Sequence, residues 1–116
     1  PDASPEALAK ARQSSMRAPL LVLVIARVQA HGKVPAQEQL LAAGCAAHAM
    51  LLAAHAMGIG AVWRTGELAY CAAVASGLGL QADEQLIAIL YLGTPQAELR
   101  TPVRLDPQNY VSAWPS

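Results

Sequence analysis

The chain has 116 residues, 54% of them hydrophobic and 14% charged, and its eight Lys plus Arg balance eight Asp plus Glu to a formal charge of zero. That length gives one domain or part of one, and a neutral chain with no two adjacent basic residues lacks the electrostatic stripe of a nucleic-acid reader. Ordinary domains carry about 25% charged residues, so much of this sequence must be buried, and a domain this small leaves apolar surface over for a partner.

Residues 2–13 are predicted to form a peripheral amphipathic helix, with Ser4 as N-cap, Pro5 at the first helical position and Glu6 near the positive end. Over 19–28 the run from Leu20 to Ile25 shows no alternation, which reads as a strand covered on both faces. Pro35 opens a long helix reaching about Met57, with Gly58 where a left-handed C-cap residue belongs. At ~1.5 Å per residue it is on the order of 30 Å long. Its small residues, among them Ala42, Ala43, Gly44, Ala46 and Ala47, let neighbouring backbones approach closely. A short strand is expected over 60–64, a glycine-ended helix over 67–77, and a second apolar strand over 84–92, stopped by Gly93-Thr94-Pro95.

No period survives in 96–116, where Pro102, Pro107 and Pro115 separate Val103, Leu105, Tyr110, Val111 and Trp114. This stretch is either a C-terminal arm lying on another subunit or a loosely ordered end, and its aromatic residues favour the arm. The whole chain, 1–116, is expected to be a single partial domain.

Residues 40–63 hold no Asp, Glu, Lys or Arg and are numerous enough to cross a bilayer. His48 and His55, the dominance of alanine over leucine, and the breaks at Gly58 and Gly60 favour a helix buried by protein instead, so no membrane association is expected. Cys45 and Cys71 show no CxxC spacing and no secretory segment precedes them, which points to a reducing, cytoplasmic setting with buried, inert thiols; their spacing does not exclude a disulfide. Gly58-Ile59-Gly60 begins a GxG pattern, but Trp63 stands where a third glycine would be and a helix precedes it. His48 and His55 lie two helical turns apart, about 10 Å, too far to share one metal, and read as packing or interface residues. No metal site is expected. Nucleophilic hydrolysis has no support either, since no GxSxG elbow is present.

The segment from Gly60 to Gly66, Gly-Ala-Val-Trp-Arg-Thr-Gly, sets an arginine and a hydroxyl at the end of a buried strand before a glycine turn. Polar groups placed there reach a ligand. The plainer alternative makes Trp63 a core residue and pairs Arg64 with Glu67 at the surface.

Taken together, Arg17-Ala18-Pro19, Lys33-Val34-Pro35, the Gly44-Cys45-Ala46 stretch, Trp63-Arg64-Thr65-Gly66 and Tyr91-Leu92-Gly93-Thr94-Pro95 resemble the nitroreductase family, in particular its compact bacterial branch. The resemblance implies an α+β fold with a central mixed sheet, a long core helix at a homodimer interface, and FMN bound between subunits. It makes Trp63, Arg64, Thr65 and Gly66 the cofactor-binding residues, with no residue assigned as catalytic. The implied activity passes hydride from NADH or NADPH to the flavin and on to a small-molecule acceptor, a nitroaromatic or quinone. The protein positions and tunes the cofactor, and Arg64 would stabilise negative charge on the reduced ring. The family pattern opens with an Arg-Arg-Ser type phosphate grip that these residues lack, so they resemble its C-terminal portion, and by themselves they are expected to bind FMN weakly or not at all. The alternative is a non-catalytic dimerising or interaction module derived from the same fold.

Overall fold

A computed structural model describes residues 5–97 and 101–115. In chain order it contains helix α1 (Pro5–Ser15), strand β1 (Leu20–Arg27), helix α2 (Ala36–Ala56), strand β2 (Gly60–Arg64), a 3₁₀ turn (Glu67–Tyr70), helix α3 (Ala72–Gly77), strand β3 (Glu84–Gly93) and a second 3₁₀ turn (Pro107–Asn109). The fold is α+β, as expected. Ser4, the expected N-cap of α1, lies outside the described residues.

The three strands form one sheet in the order β1-β3-β2. Both outer strands run antiparallel to β3, with Leu20 opposite Leu92 and Gly60 opposite Gly93. The described sheet is therefore antiparallel throughout rather than mixed. β1 and β2 do run in the same direction, but β3 lies between them and they share no ladder.

β3 is bonded on both sides, and its residues form the centre of both apolar layers. Ala88 and Leu90 face α2 and pack with Ala47, Val22, Val24, Leu51 and Trp63. Leu86, Ile89 and Tyr91 face the other way, against Leu21, Leu23, Leu68 and Leu80. Strict alternation would put Leu86 on the same side as Ala88 and Leu90. A bulge prevents this: Val24 pairs with Ala88 and Ile25 with Leu86, so Ile87 is the extra residue and the facing of everything before it is reversed. Leu90, with 0% of its surface exposed, contributes roughly 1.5–3 kcal/mol through burial of its side chain.

The outer strands are less covered than their apolar runs imply. In β1, Leu21 to Val24 are half-buried, but Leu20 and Ile25 are exposed. An edge strand has only one neighbour, so some of its apolar side chains meet solvent, while Ala26 is buried. β2, expected as a buried strand, is likewise an edge strand with Ala61, Val62 and Arg64 exposed.

α2 ends as its sequence predicts. Gly58 takes φ 73°, its N–H donates to the His55 carbonyl at 3.0 Å, and the Ile59 N–H donates to the Ala54 carbonyl at 2.9 Å. The helix packs one alanine stripe, Ala47 and Ala54, against the sheet. Gly44 lets the Trp63 ring come near, since a Cβ there would lie 3.7 Å from its Cη2. The remaining faces of α2 are exposed in this chain, including Leu41, Met50 and Leu52, as is Met57 just past its end. It is the one helix among the described residues long and apolar enough to cross a bilayer.

The expected helix over 67–77 is broken in two. Cys71 adopts an extended conformation (φ −84°, ψ 119°), separating the turn Glu67–Tyr70 from α3. The turn brings Leu68 and Ala69 onto the β3 layer, and this packing overrides helical continuity. Both cysteines are free and exposed in this chain, which corrects the expectation of buried thiols. Every described residue of the C-terminal arm, 101–115, is exposed, with Trp114 at 92%.

The loop between β1 and α2 is held by two side chains. Gln39 accepts from the Gln29 N–H at 2.9 Å and donates to the carbonyls of Gln29 and Val34. His31 Nδ1 accepts from the N–H groups of Lys33 and Val34 at 3.1 and 3.0 Å. At the far end of the sheet, Arg27 Nε donates to Asp83 at 2.8 Å. That hydrogen bond holds the Asp83 carboxyl below the ordinary carboxylate range and the Arg27 guanidinium above its own.

Candidate functional site

The antiparallel pairing of β1 with β3 brings together two segments distant in sequence. The run Arg17-Ala18-Pro19 leads into β1 and Tyr91-Leu92-Gly93 closes β3, so both lie at one end of the sheet, beside Gly60 at the start of β2. A side chain has little room at this junction. A Cβ on Gly93 would stand 2.8 Å from Pro19 Cδ, and one on Gly60 would stand 3.0 Å from the Gly93 carbonyl oxygen and 3.1 Å from Pro95 Cγ. The two prolines thus pack directly on bare backbone, which fixes the path of the chain into β1 and out of β3.

Around this junction opens a cleft of about 710 Å³, lined by residues 17–19, 60–62, Arg64, Tyr91 and 92–97. Among the described residues its lining carries two guanidinium groups, from Arg17 and Arg64, and no Asp or Glu. Pro19, Val62, Leu92 and Pro95 supply an apolar surface, and Thr94 a hydroxyl. The Arg64 guanidinium stands over the Tyr91 ring, 6.0 Å from its centroid. Among the described residues neither arginine side chain has a carboxylate partner, and Arg64 does not pair with Glu67.

The structure separates the sequence-predicted site residues. Side chains alternate along β2: Arg64 lines the cleft, whereas Trp63 is half-buried on the opposite face, packed on the core layer beneath α2. Thr65 is half-buried, and Gly66, at φ 61°, turns the chain into the 3₁₀ turn. Sequence reasoning did not assign Arg17, Pro19, Tyr91 or Thr94 to a site. Their segments stand out as motifs, but only the strand register brings them to one cleft. His48 and His55 are exposed on α2, and among the described residues no group of three or more His, Cys, Asp or Glu is gathered.

A sequence model of the nitroreductase family matches residues 2–94. The chain belongs to the nitroreductase family. It is 40% identical over 108 residues to the provisionally named NAD(P)H nitroreductase YdjA of Escherichia coli K12, covering 92% of this chain and 59% of that protein. It is 33% identical over 113 residues to a provisionally named NAD(P)H nitroreductase of Haemophilus influenzae, covering 96% of this chain and 61% of that protein. The crystal structure of a nitroreductase-like family protein from Bacillus cereus superposes with a TM-score of 0.80 at 20% identity, over 97% of this chain and 61% of that one. At that identity the likeness concerns the fold. The chain spans about three-fifths of the length of these curated relatives.

Proposed function

We propose that the protein works as an FMN-dependent NAD(P)H oxidoreductase of the nitroreductase type, as a cytoplasmic homodimer, reducing a nitroaromatic or quinone-like acceptor. The observation that carries this reading is the cleft with two arginines among its described lining residues, beside the Trp63-Arg64-Thr65-Gly66 segment, in a chain of this family. The cleft residues suit such a cofactor: guanidinium groups for its anionic and carbonyl oxygens, apolar surfaces for a flat ring, and glycines where backbone must come close.

Bound FMN would supply the two-electron chemistry between nicotinamide nucleotide and acceptor. The chain itself would bind and orient it. Arg64, over the Tyr91 ring and lining the cleft, offers positive charge to a bound ligand. Trp63 acts from beneath, wedging β2 against Gly44 of α2 and so holding Arg64 at its height. Thr65 and Gly66 complete the contact segment.

Dimerisation is supported by what this chain leaves uncovered. Leu41 and Leu52 on α2, Met57 at its end, and Tyr110, Val111 and Trp114 on the arm are all exposed. The radius of gyration is 17.9 Å, against about 13 Å for a compact chain of similar length. A second copy laid on α2, with the arm across it, would cover these surfaces without recourse to a membrane.

The test is purification followed by an absorbance spectrum, FMN titration, and anaerobic NADH or NADPH oxidation with a nitroaromatic acceptor. With FMN added to saturation, a flavin spectrum that the pyridine nucleotide bleaches and the acceptor restores is the expected result, and these 116 residues by themselves are expected to need high FMN concentrations to give it. A colourless, stable oligomer that no FMN concentration converts would favour the interaction module.

A further inference from the structure

We propose that Arg17, which lies outside the Trp63–Gly66 segment, is an oxyanion-binding residue of the cleft, taking the phosphate or carboxylate group of a ligand whose flat apolar part lies against Pro19 and Pro95. For its flavin arm this rests on the reading above; its carboxylate arm does not. Three observations carry it. Arg17 and Arg64 line one cleft from opposite edges of the sheet, and among the described residues no lining carboxylate neutralises either. Arg27, by contrast, occupies the other end of the same strand and is held by Asp83 at 2.8 Å, so an arginine on this sheet with an acidic neighbour does pair with it. The segment bearing Arg17 is also fixed in place: Pro19 packs on bare Gly93 backbone, and the Arg17 N–H donates to the Ser14 carbonyl at 3.4 Å.

A guanidinium so placed offers paired donors to a phosphate or carboxylate. Two different ligands carry such a group. One is the phosphate of the flavin nucleotide, and the other is an acidic substituent on an aromatic acceptor.

The experiment compares wild type, Arg17→Ala and Arg17→Lys in two matched pairs of probes. The first pair is FMN and riboflavin, titrated by flavin fluorescence. The second is 4-nitrobenzoate and nitrobenzene, titrated by NMR chemical-shift change, which needs neither flavin nor turnover. Loss of one charged contact weakens binding on the order of tenfold. A tenfold loss for FMN with riboflavin unchanged assigns Arg17 to the cofactor phosphate. The same loss for 4-nitrobenzoate with nitrobenzene unchanged assigns it to the acceptor. In either case Arg17→Lys recovers part of the affinity. The proposal is overturned if Arg17→Ala alters neither pair, if it weakens both members of a pair equally, or if wild type binds neither anion better than its uncharged counterpart. Absence of flavin binding in wild type, with the 4-nitrobenzoate difference intact, would remove the flavoprotein reading and leave Arg17's role standing.

Discussion

Arg64 reaches across the strand ladder to Tyr91: its guanidinium carbon lies 6.0 Å from the centre of the ring, although its own strand partner is Ile89. The contact joins an exposed charge to the most buried strand. A cation–π contact of this reach at a partly wet site is worth about 0.5 kcal/mol. A double-mutant cycle with Arg64→Ala and Tyr91→Leu, read by urea denaturation, should return a coupling of that size, and Tyr91→Phe should preserve it. A coupling indistinguishable from zero would mean that the ring merely passes beneath the arginine.

Gly93→Ala should destabilise the protein by roughly 1–3 kcal/mol, because the new Cβ would meet Pro19 Cδ at 2.8 Å. Both groups are anchored in or beside the sheet, so neither yields freely. Pro19→Ala removes the obstructing ring, and the double variant should lose less than the two single losses added together. Strict additivity in chemical denaturation would show that the crowding lies elsewhere.

Asp83→Asn should lower stability modestly at neutral pH, with a difference from wild type that closes in acid. The folded carboxyl is held below its ordinary value by Arg27. Its contribution is therefore complete above the unfolded value near ~3.9 and is lost as pH falls through the lower, folded value. Arg27 is shifted upward, so its contribution persists until pH passes the guanidinium range, and no alkaline decline should arise from this pair. Thermal melts of both proteins across the acid range provide the check; a gap that survives full protonation would trace the effect to chain geometry rather than charge.

His31 Nδ1 receives two backbone N–H groups, so His31→Ala should speed hydrogen exchange at Lys33 and Val34. Asn in that place can accept from the same two amides, as in an Asx turn. His31→Asn should therefore retain most of the protection. Equal exchange in all three proteins would show that Gln39 alone organises the loop.

If a second copy covers α2, a charge in the middle of its uncovered face must disrupt assembly. Leu52 is 58% exposed in the single chain, and Leu52→Asp should convert the dimer to monomer in sedimentation velocity while leaving the helical circular-dichroism signal near wild type. An unchanged dimer would move the interface off this face.

The elements set by local chemistry were legible in the sequence. The Leu20–Ile25 run, Pro35 opening α2, Gly58 closing it, and the Gly93-Thr94-Pro95 stop all act within a few residues of themselves. What escaped depends on neighbours distant in sequence. Cys71 breaks a helical stretch because Leu68 and Ala69 turn onto β3. Leu86 changes sides because of a bulge against Val24 and Ile25. The site divides in the same way: the Trp63-Arg64 pair was visible as a motif, but the alternation that sends one under α2 and the other into the cleft also requires knowing which edge of the sheet β2 occupies. Arg17 joins Arg64 at that cleft only through the Leu20–Leu92 register.

The strand order β1-β3-β2 also bears on how the chain is made. The middle strand is the last of the three to leave the ribosome, so until residue 93 has emerged the two flanking strands lack the partner that both share among the described residues. Their leucines, valines and unpaired amides must stay apart from other chains for that interval, which early docking of Val22 and Val24 on the finished α2 helix would favour. Slowing translation just ahead of Glu84 should therefore lower the soluble yield far more than slowing it after Gly93.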